Sequence, residues 1–172
     1  DLGDAPASDN QSGVGMTTYG GTVANFPTVF NATVPGPLHA QAKGDAWLGV
    51  NATGETDADQ LPDVDTITNL DPLANAANRD QADDGVHLRT VRLPRCRLTR
   101  FDYDASVVGG TGTRYLNVWI DFNRDGDFAD TIACVPKGSP WPVLVREWAV
   151  SNVPVTLSDG YHTGLSTPLF WS

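Results

Sequence analysis

Five oxygen-bearing side chains recur at short intervals in the last ten residues of the stretch YLNVWIDFNRDGDFAD, residues 115–130: Asp121, Asn123, Asp125, Asp127 and Asp130. A hard cation such as Ca²⁺ takes about six to eight oxygen ligands, and a short loop supplies them when acids alternate and the chain turns sharply. Gly126 stands where a D-x-N-x-D-G loop makes that turn. The stretch therefore predicts a calcium site.

This loop differs from an EF-hand in two respects. Its twelfth position is Ile132, where an EF-hand has a bidentate Glu, and the residues before it are strand-like rather than helical. The alternative is an Asp/Asn/Gly turn held by its own side-chain hydrogen bonds. The pattern should arise by chance only about 0.03 times in such a chain, and its carboxylates repel one another without a cation, so calcium is favoured.

The elements that must position this loop read as strands. From Val86 onward apolar residues recur with the two-residue period of a strand, and the even positions from Leu116 to Phe122 predict a core face that reaches the loop. The period slips near 99–100, which predicts a bulge, and AWLGV at 46–50 predicts a buried strand. Strands separated by Gly and Pro predict an all-β fold, a β-sandwich or jelly roll, as a single domain over 1–172.

One short helix is predicted near 72–79. Asp71 is a plausible N-cap, Pro72 occupies the first helical position, and an Ala-rich turn follows.

Two cysteines, Cys96 and Cys134, leave two interpretations open. One disulfide would close a loop of about 39 residues and stabilise the fold by roughly 4 kcal/mol on the chain-entropy model. Two buried free thiols are the alternative. We favour the disulfide because the chain otherwise reads as extracellular. N-x-Ser/Thr sequons at Asn10, Asn31 and Asn51 add little, since Asn- and Thr-rich chains produce them by chance.

The charge is negative and uneven. The 172 residues carry a net charge of −10, which argues against nucleic acid or an anionic membrane surface as a partner. Residues 1–84 hold 13 acids and 2 bases, whereas residues 85–172 hold 8 acids and 9 bases. Five arginines between 89 and 100 are expected to face solvent or to pair with the chain's own Asp. No apolar run is long enough to predict membrane insertion.

Catalytic signatures are missing from the sequence. The three histidines lack zinc-ligand spacing, and no serine stands in a G-x-S-x-G elbow. Abundant Asp will always provide some pair at the spacing of a glycoside hydrolase, so abundance alone does not indicate catalysis. We therefore expect no enzyme.

Several separated stretches resemble one family, the GEVED domain of large secreted and surface-anchored bacterial proteins. The stretches are DLGDAPAS at 1–8, Gly36 and His39 followed by WLG at 47–49, ETDADQLP at 55–62, QADDGV at 81–86 and the acidic stretch at 115–130. The last is the most specific. Gln60, Gln81 and Ala82 depart from the family pattern, in places where it has a Gly and two acids.

The resemblance implies an all-β, calcium-binding extracellular module without a catalytic set. It also suggests a second metal site, with a solvated acidic face as the alternative. The residues of that second site would be Asp1, Asp4, Glu55, Asp57, Asp59, Asp83 and Asp84.

The chain stops at TGLSTPLFWS, about where the family continues into a final strand and its GEVEDY segment. Three explanations are open: the chain has been cut, the remainder is not shown, or another chain adds the missing strand to an open sheet edge. The expected partners are accordingly other chains or domains of a surface assembly.

The function predicted from the sequence is a calcium-stabilised structural or adhesive module, secreted or at the cell surface. A carbohydrate-binding module is the alternative, although most Trp in such a chain belong to the core. The candidate sugar platforms are Trp47, Trp119, Trp141, Trp148 and Trp171.

Overall fold

The structure is a computed structural model that describes residues 5, 7–8, 17–26, 45–52, 70–71, 76–77, 84–87 and 90–172, with backbone alone for 70–71 and 76–77. Every regular element in these ranges is a strand, and all the pairings are antiparallel. The predicted all-β class is confirmed, and the small antiparallel sheets are consistent with a β-sandwich. In chain order the strands are β1 Thr17–Thr18, β2 Thr22–Val23, β3 Ala46–Leu48, β4 Leu70–Asp71, β5 Ala76–Ala77, β6 Leu98–Thr99, β7 Asp102–Val107, β8 Gly112–Trp119, β9 Thr131–Cys134, β10 Val143–Arg146, β11 Trp148–Leu157, β12 Gly160–Ser166 and β13 Phe170–Trp171.

The chain forms two compact units. The first comprises 1–45, 51–83 and 124–127, and the second comprises 46–50, 84–123 and 128–172. In the first unit, β1 and β2 form a tight hairpin and β4 pairs with β5. Its described buried apolar side chains are Ala7, Ala24 and Phe26, and Thr18 is buried as well.

The second unit contains a three-stranded sheet in the order β12-β7-β3. The central strand β7 is buried at five consecutive positions, Tyr103 to Val107. A strand covered on both faces loses the alternation of a half-exposed one, so Asp104 is buried beside its apolar neighbours. The same unit contains the pairs β8–β11, β9–β10 and β6–β13.

The predicted helix near 72–79 is wrong. Ala76 and Ala77 form β5, whose register pairs Leu70 with Ala77 and Asp71 with Ala76. One Ala-rich turn is too short to offset the cost of helix nucleation, and backbone pairing with β4 prevails. The other residues of the predicted helix lie outside the described ranges.

Three strand predictions need correction. The strand before the acidic loop ends at Trp119 rather than Phe122, and Leu116 to Phe122 are half-buried rather than core. The slip near 99–100 is a break between β6 and β7 rather than a bulge. Strand β3 is shorter than predicted and Leu48 at its end is exposed, because β3 is the edge strand of its sheet.

A disulfide joins Cys96 to Cys134, with the two Cα atoms 5.7 Å apart. It ties the segment before β6 to the last residue of β9, and the predicted bridge is confirmed. Among the described residues, no helix has the length and apolar character needed to cross a membrane.

Candidate metal centre

The acidic loop continues directly from β8. The backbone N–H of Ile120 donates to the carbonyl of Glu147 at 2.8 Å, and the N–H of Glu147 donates to the carbonyl of Asp130 at 3.1 Å. Glu147 stands between β10 and β11. The backbone at this junction therefore contacts both the approach to the loop and its end.

The Glu147 side chain joins the two ends of the loop by hydrogen bonds. It is fully buried, with 0% of its surface exposed. One carboxylate oxygen accepts a hydrogen bond from the N–H of Phe122 at 3.0 Å, and the other accepts one from the N–H of Asp130 at 3.1 Å. These bonds fix the distance between the first and last parts of the loop.

The environment of Glu147 opposes its ionisation. Burial raises the pKa of the Glu147 carboxyl above its usual range, and the negative charge of Asp121 raises it further. Hydrogen bonds from the backbone N–H groups of Asp130, Phe122 and Asn123 lower the pKa, but they do not outweigh burial. A nearby cation would reverse this balance by stabilising the ionised form.

Four carboxylates come together here. One oxygen from each of Asp125, Asp127, Asp130 and Glu147 lies within 4.8 Å of the others. Two ionised carboxylates about 4–5 Å apart repel by roughly 3–4 kcal/mol near a protein surface. Oxygens bound to one Ca²⁺ at about 2.3–2.6 Å are at most about 5 Å apart, so the spacing suits a single ion of that size. The cluster can hold a metal ion.

Only three of the five predicted ligands belong to the four-carboxylate cluster. Asp125, Asp127 and Asp130 belong to the four-carboxylate cluster, whereas Asp121 does not. The amide nitrogen of Asn123 donates to a carboxylate oxygen of Asp130 at 2.6 Å, so Asn123 orients an acid of the cluster. The N–H of Asp127 approaches a carboxylate oxygen of Asp125 at 3.4 Å.

The turn of the loop depends on Gly126. Its φ is +97°, a conformation that residues with a Cβ rarely adopt, and its carbonyl accepts a hydrogen bond from the N–H of Asn25 at 2.8 Å. A Cβ at this position would collide with the carbonyl oxygen of Val23. The sharp turn predicted at this glycine is therefore present.

Sequence reasoning missed Glu147. The residue lies 17 positions beyond Asp130, outside the span of any loop motif. The available signal was weak: Glu147 is one of two Glu in the chain and interrupts an apolar run, VLVREWAV at 143–150.

The suggested second metal site falls mostly outside the described residues, which include only Asp84 of its seven members. A carboxylate oxygen of Asp84 accepts a hydrogen bond from the N–H of Val50 at 2.9 Å. Gly49 has a φ of +78°, and a Cβ there would collide with the same oxygen. Asp84 thus serves at least to hold the turn after β3.

A second buried carboxylate, Asp104, lies on β7, and no motif in the sequence singles it out. It accepts hydrogen bonds from the N–H of Gly164 at 2.8 Å, the hydroxyl of Tyr161 at 2.9 Å and a ring nitrogen of His87 at 3.1 Å. The Gly164 and Tyr161 donors, with a smaller contribution from His87, hold the pKa of Asp104 below its usual range despite its burial.

In comparisons with known proteins, no family model, no curated protein and no solved structure matches the chain.

Proposed function

We propose that this chain is a calcium-stabilised extracellular module of the GEVED type, with a structural or adhesive role in a bacterial surface protein or filament. The observation that carries the proposal is the meeting of four carboxylates, one of them the buried Glu147, at a loop of D-x-N-x-D-G pattern.

The ligand chemistry favours calcium over a softer metal. All the donors in the cluster are carboxylate oxygens, which suit hard cations, and no histidine or cysteine takes part. Glu147 also provides the acid that the loop lacks at its twelfth position, Ile132. It reaches the loop from the β10–β11 junction instead of from the loop itself.

Bound calcium would stabilise the fold rather than take part in a reaction. The ion would neutralise the mutual repulsion of the carboxylates and hold the loop against Glu147. An ion that binds only the folded chain adds about 2.7 kcal/mol of stability when its concentration is a hundred times its dissociation constant.

The extracellular part of the proposal has separate support. A structural disulfide persists mainly in oxidising compartments, and Cys96 and Cys134 form one. Extracellular calcium is abundant enough to keep even weak sites filled. The resemblance to secreted and surface-anchored modules points to the same compartment.

The test is calorimetric titration of the chelator-treated protein with Ca²⁺, followed by thermal unfolding with calcium and with excess chelator. We expect saturable binding and a higher melting temperature with calcium, and a weaker response to Mg²⁺. No binding heat together with an unchanged melting temperature would refute the calcium claim.

Carbohydrate binding is a second candidate because of one aromatic surface, formed by Tyr115, Asn117, Trp119 and Trp148. The rings of Trp119 and Trp148 stack with centroids 5.7 Å apart, and the Trp148 indole N–H donates to the side-chain oxygen of Asn117 at 2.9 Å. Tyr115 is 64% exposed. Flat rings beside an amide suit the faces and hydroxyls of a sugar.

A glycan array tests this second candidate. Binding that is lost in Tyr115→Ala and Trp148→Ala, but retained in Trp141→Ala, would support it. Trp141 is 75% exposed and belongs to neither β8 nor β11, so it controls for nonspecific aromatic contacts. If no glycan on the array binds the protein, carbohydrate binding is refuted.

A further inference from the structure

A cleft in the second unit collects positive charge in a chain that is otherwise acidic. The cleft has a volume of about 540 Å³, and both cysteines of the Cys96–Cys134 disulfide line it. Arg95, Arg97 and Lys137 line it, and none of its lining residues is an acid. These cations stand out against a net charge of −10.

Among the described residues, no carboxylate forms an ion pair with any of the three cations, whose side chains are exposed. From the sequence, such arginines are expected to face solvent or to pair with the chain's own Asp. Here they face an open cleft together. Three like charges around one concavity repel one another, and an anionic group in the cleft would relieve that repulsion.

The backbone beneath the cations is held in place. The N–H groups of Cys96 and Arg97 donate to the carbonyl of Ser172, whose own N–H donates back to the carbonyl of Arg97 at 3.1 Å. On the other side, Cys134 belongs to β9 and pairs with Val143 of β10. The cleft is therefore largely formed before any partner arrives, which lowers the entropic cost of binding.

An apolar wall adjoins the cations. A neighbouring cleft of about 320 Å³ shares Arg97 and Lys137 and adds Leu98, Pro136 and Trp171. Leu98 is 51% exposed. A partner that matches both parts would alternate carboxylates with apolar side chains, which favours an acidic peptide over a uniformly hydrophilic polyanion.

We propose that this basic cleft, defined by Arg95, Arg97 and Lys137, docks an acidic segment from the 1–84 half of a second copy of the chain. That half carries 13 acids against 2 bases, and ETDADQLPDVD at 55–65 combines five acids with Leu61, Pro62 and Val64. The contact joins two different parts of the chain, so reciprocal docking gives a closed dimer, whereas one-way docking gives rings or open filaments. It goes beyond the calcium site and does not depend on it.

The net charges of two copies oppose this contact at long range, and ionic strength decides which effect prevails. At about 0.1 M salt the screening length is about 10 Å, so repulsion between whole molecules is weak while contacts inside the cleft persist. At about 1 M salt the screening length falls to about 3 Å, and the contact should be lost.

The first experiment is sedimentation velocity of the full chain over a range of concentrations at about 0.1 M and 1 M salt. We expect concentration-dependent association at the lower salt only. It should disappear in the triple variant Arg95→Gln, Arg97→Gln, Lys137→Gln and persist in Arg146→Gln, since Arg146 lies on β10 outside the cleft. Unchanged melting temperatures would show that the variants are folded.

The second experiment uses a labelled synthetic peptide of residues 55–65. The control is the same peptide with each Asp replaced by Asn and the Glu replaced by Gln. We expect the peptide to bind the wild type and to bind the triple variant at least tenfold more weakly. The control peptide with Asn and Gln in place of its acids should not bind. A strictly monomeric wild type at every concentration would overturn the proposal. So would binding of heparin, abolished in the triple variant, without binding of the peptide.

Discussion

Glu147 and Asp104 are both carboxylic acids inside the second unit, with 0% and 5% of their surfaces exposed. Their surroundings nevertheless shift their pKa values in opposite directions, upward for Glu147 and downward for Asp104. Each accepts backbone hydrogen bonds, so donors alone do not explain the difference. The balance between donors and burial does: for Asp104 the hydrogen bonds from Gly164 and Tyr161, with a smaller contribution from His87, outweigh burial. For Glu147 burial outweighs the backbone donors, and the negative charge of Asp121 adds to it.

This contrast distinguishes a complete site from an incomplete one. The donors around Asp104 compensate the burial of its charge, as a buried ionised group requires. Around Glu147 the chain supplies negative charge instead, and a bound cation or a proton on the carboxyl would restore the balance. The two carboxylates should therefore respond differently to substitution, to calcium and to pH.

The largest expected effect is that of Glu147→Ala. Removing the carboxylate leaves the N–H groups of Phe122 and Asp130 without their acceptor, which should lower the free energy of unfolding by about 2–4 kcal/mol. Calcium should no longer stabilise this variant. Urea unfolding with calcium and with chelator measures both quantities.

Asp104→Ala is the matched comparison for that experiment. It should also destabilise the chain, because Gly164, Tyr161 and His87 lose their acceptor, but calcium should still raise its stability. If calcium rescued both variants equally, the contrast between the two sites would be lost.

The next effect concerns the acids of the cluster. Asp125→Asn should weaken calcium binding about tenfold or more, which corresponds to about 1.4 kcal/mol, because it removes one ligand charge. Asp102→Asn removes the same charge from an exposed acid of β7 that accepts a hydrogen bond from Ser166 at 2.6 Å. Calorimetric titration should show near-normal affinity for the Asp102 variant. Equal losses in both variants would indicate a nonspecific charge effect.

Lowering the pH should remove the stability that the Asp104 carboxylate contributes. Its pKa is lower in the folded chain than in the unfolded chain, so the unfolded state binds more protons as the pH falls. The stability from this carboxylate is present above the unfolded pKa of about 3.9 and is lost as the pH falls through the folded value. Melting temperatures between about pH 6 and pH 2, in chelator, should fall less steeply for Asp104→Asn than for the wild type.

The smallest effect is on the alkaline side. The hydrogen bond to Asp104 raises the pKa of the Tyr161 hydroxyl. The stability it contributes is therefore present below the unfolded pKa of about 10 and is lost as the pH rises through the folded value. Tyr161→Phe should remove this loss from the melting profile, whereas Tyr115→Phe should leave it unchanged. Identical profiles for both variants would contradict the role assigned to Tyr161.

Local patterns predicted the parts of the site that are continuous in sequence. Three members of the cluster and the turn at Gly126 follow from the spacing of residues within one loop. Glu147 comes from a distant strand junction, and its position depends on how β8, β10 and β11 meet. No pattern within the loop contains that information. The calcium itself stays a prediction.

The strands also separate features that a local pattern predicts from features that depend on how strands pack. A two-residue period, as from Val86 onward, predicts strands with one core face, but Tyr103, Asp104 and Ala105 are consecutive in β7 and all are buried. That reading fails for the middle strand of a sheet, which is covered on both faces. Likewise, capping signals around Asp71 predicted a helix, and pairing with a neighbouring strand replaced it.

The Cys96–Cys134 bridge also determines how the chain would carry mechanical load. The acidic loop lies between the two cysteines in sequence, so tension applied outside the bridge passes from one sulfur to the other and bypasses the loop. The 38-residue separation would otherwise extend by roughly 130 Å at about 3.4 Å per residue. Under pulling, the loop would keep its internal connections while Glu147, outside the bridge, could be drawn away. Force would then weaken the proposed ion site by withdrawing one of its four carboxylates.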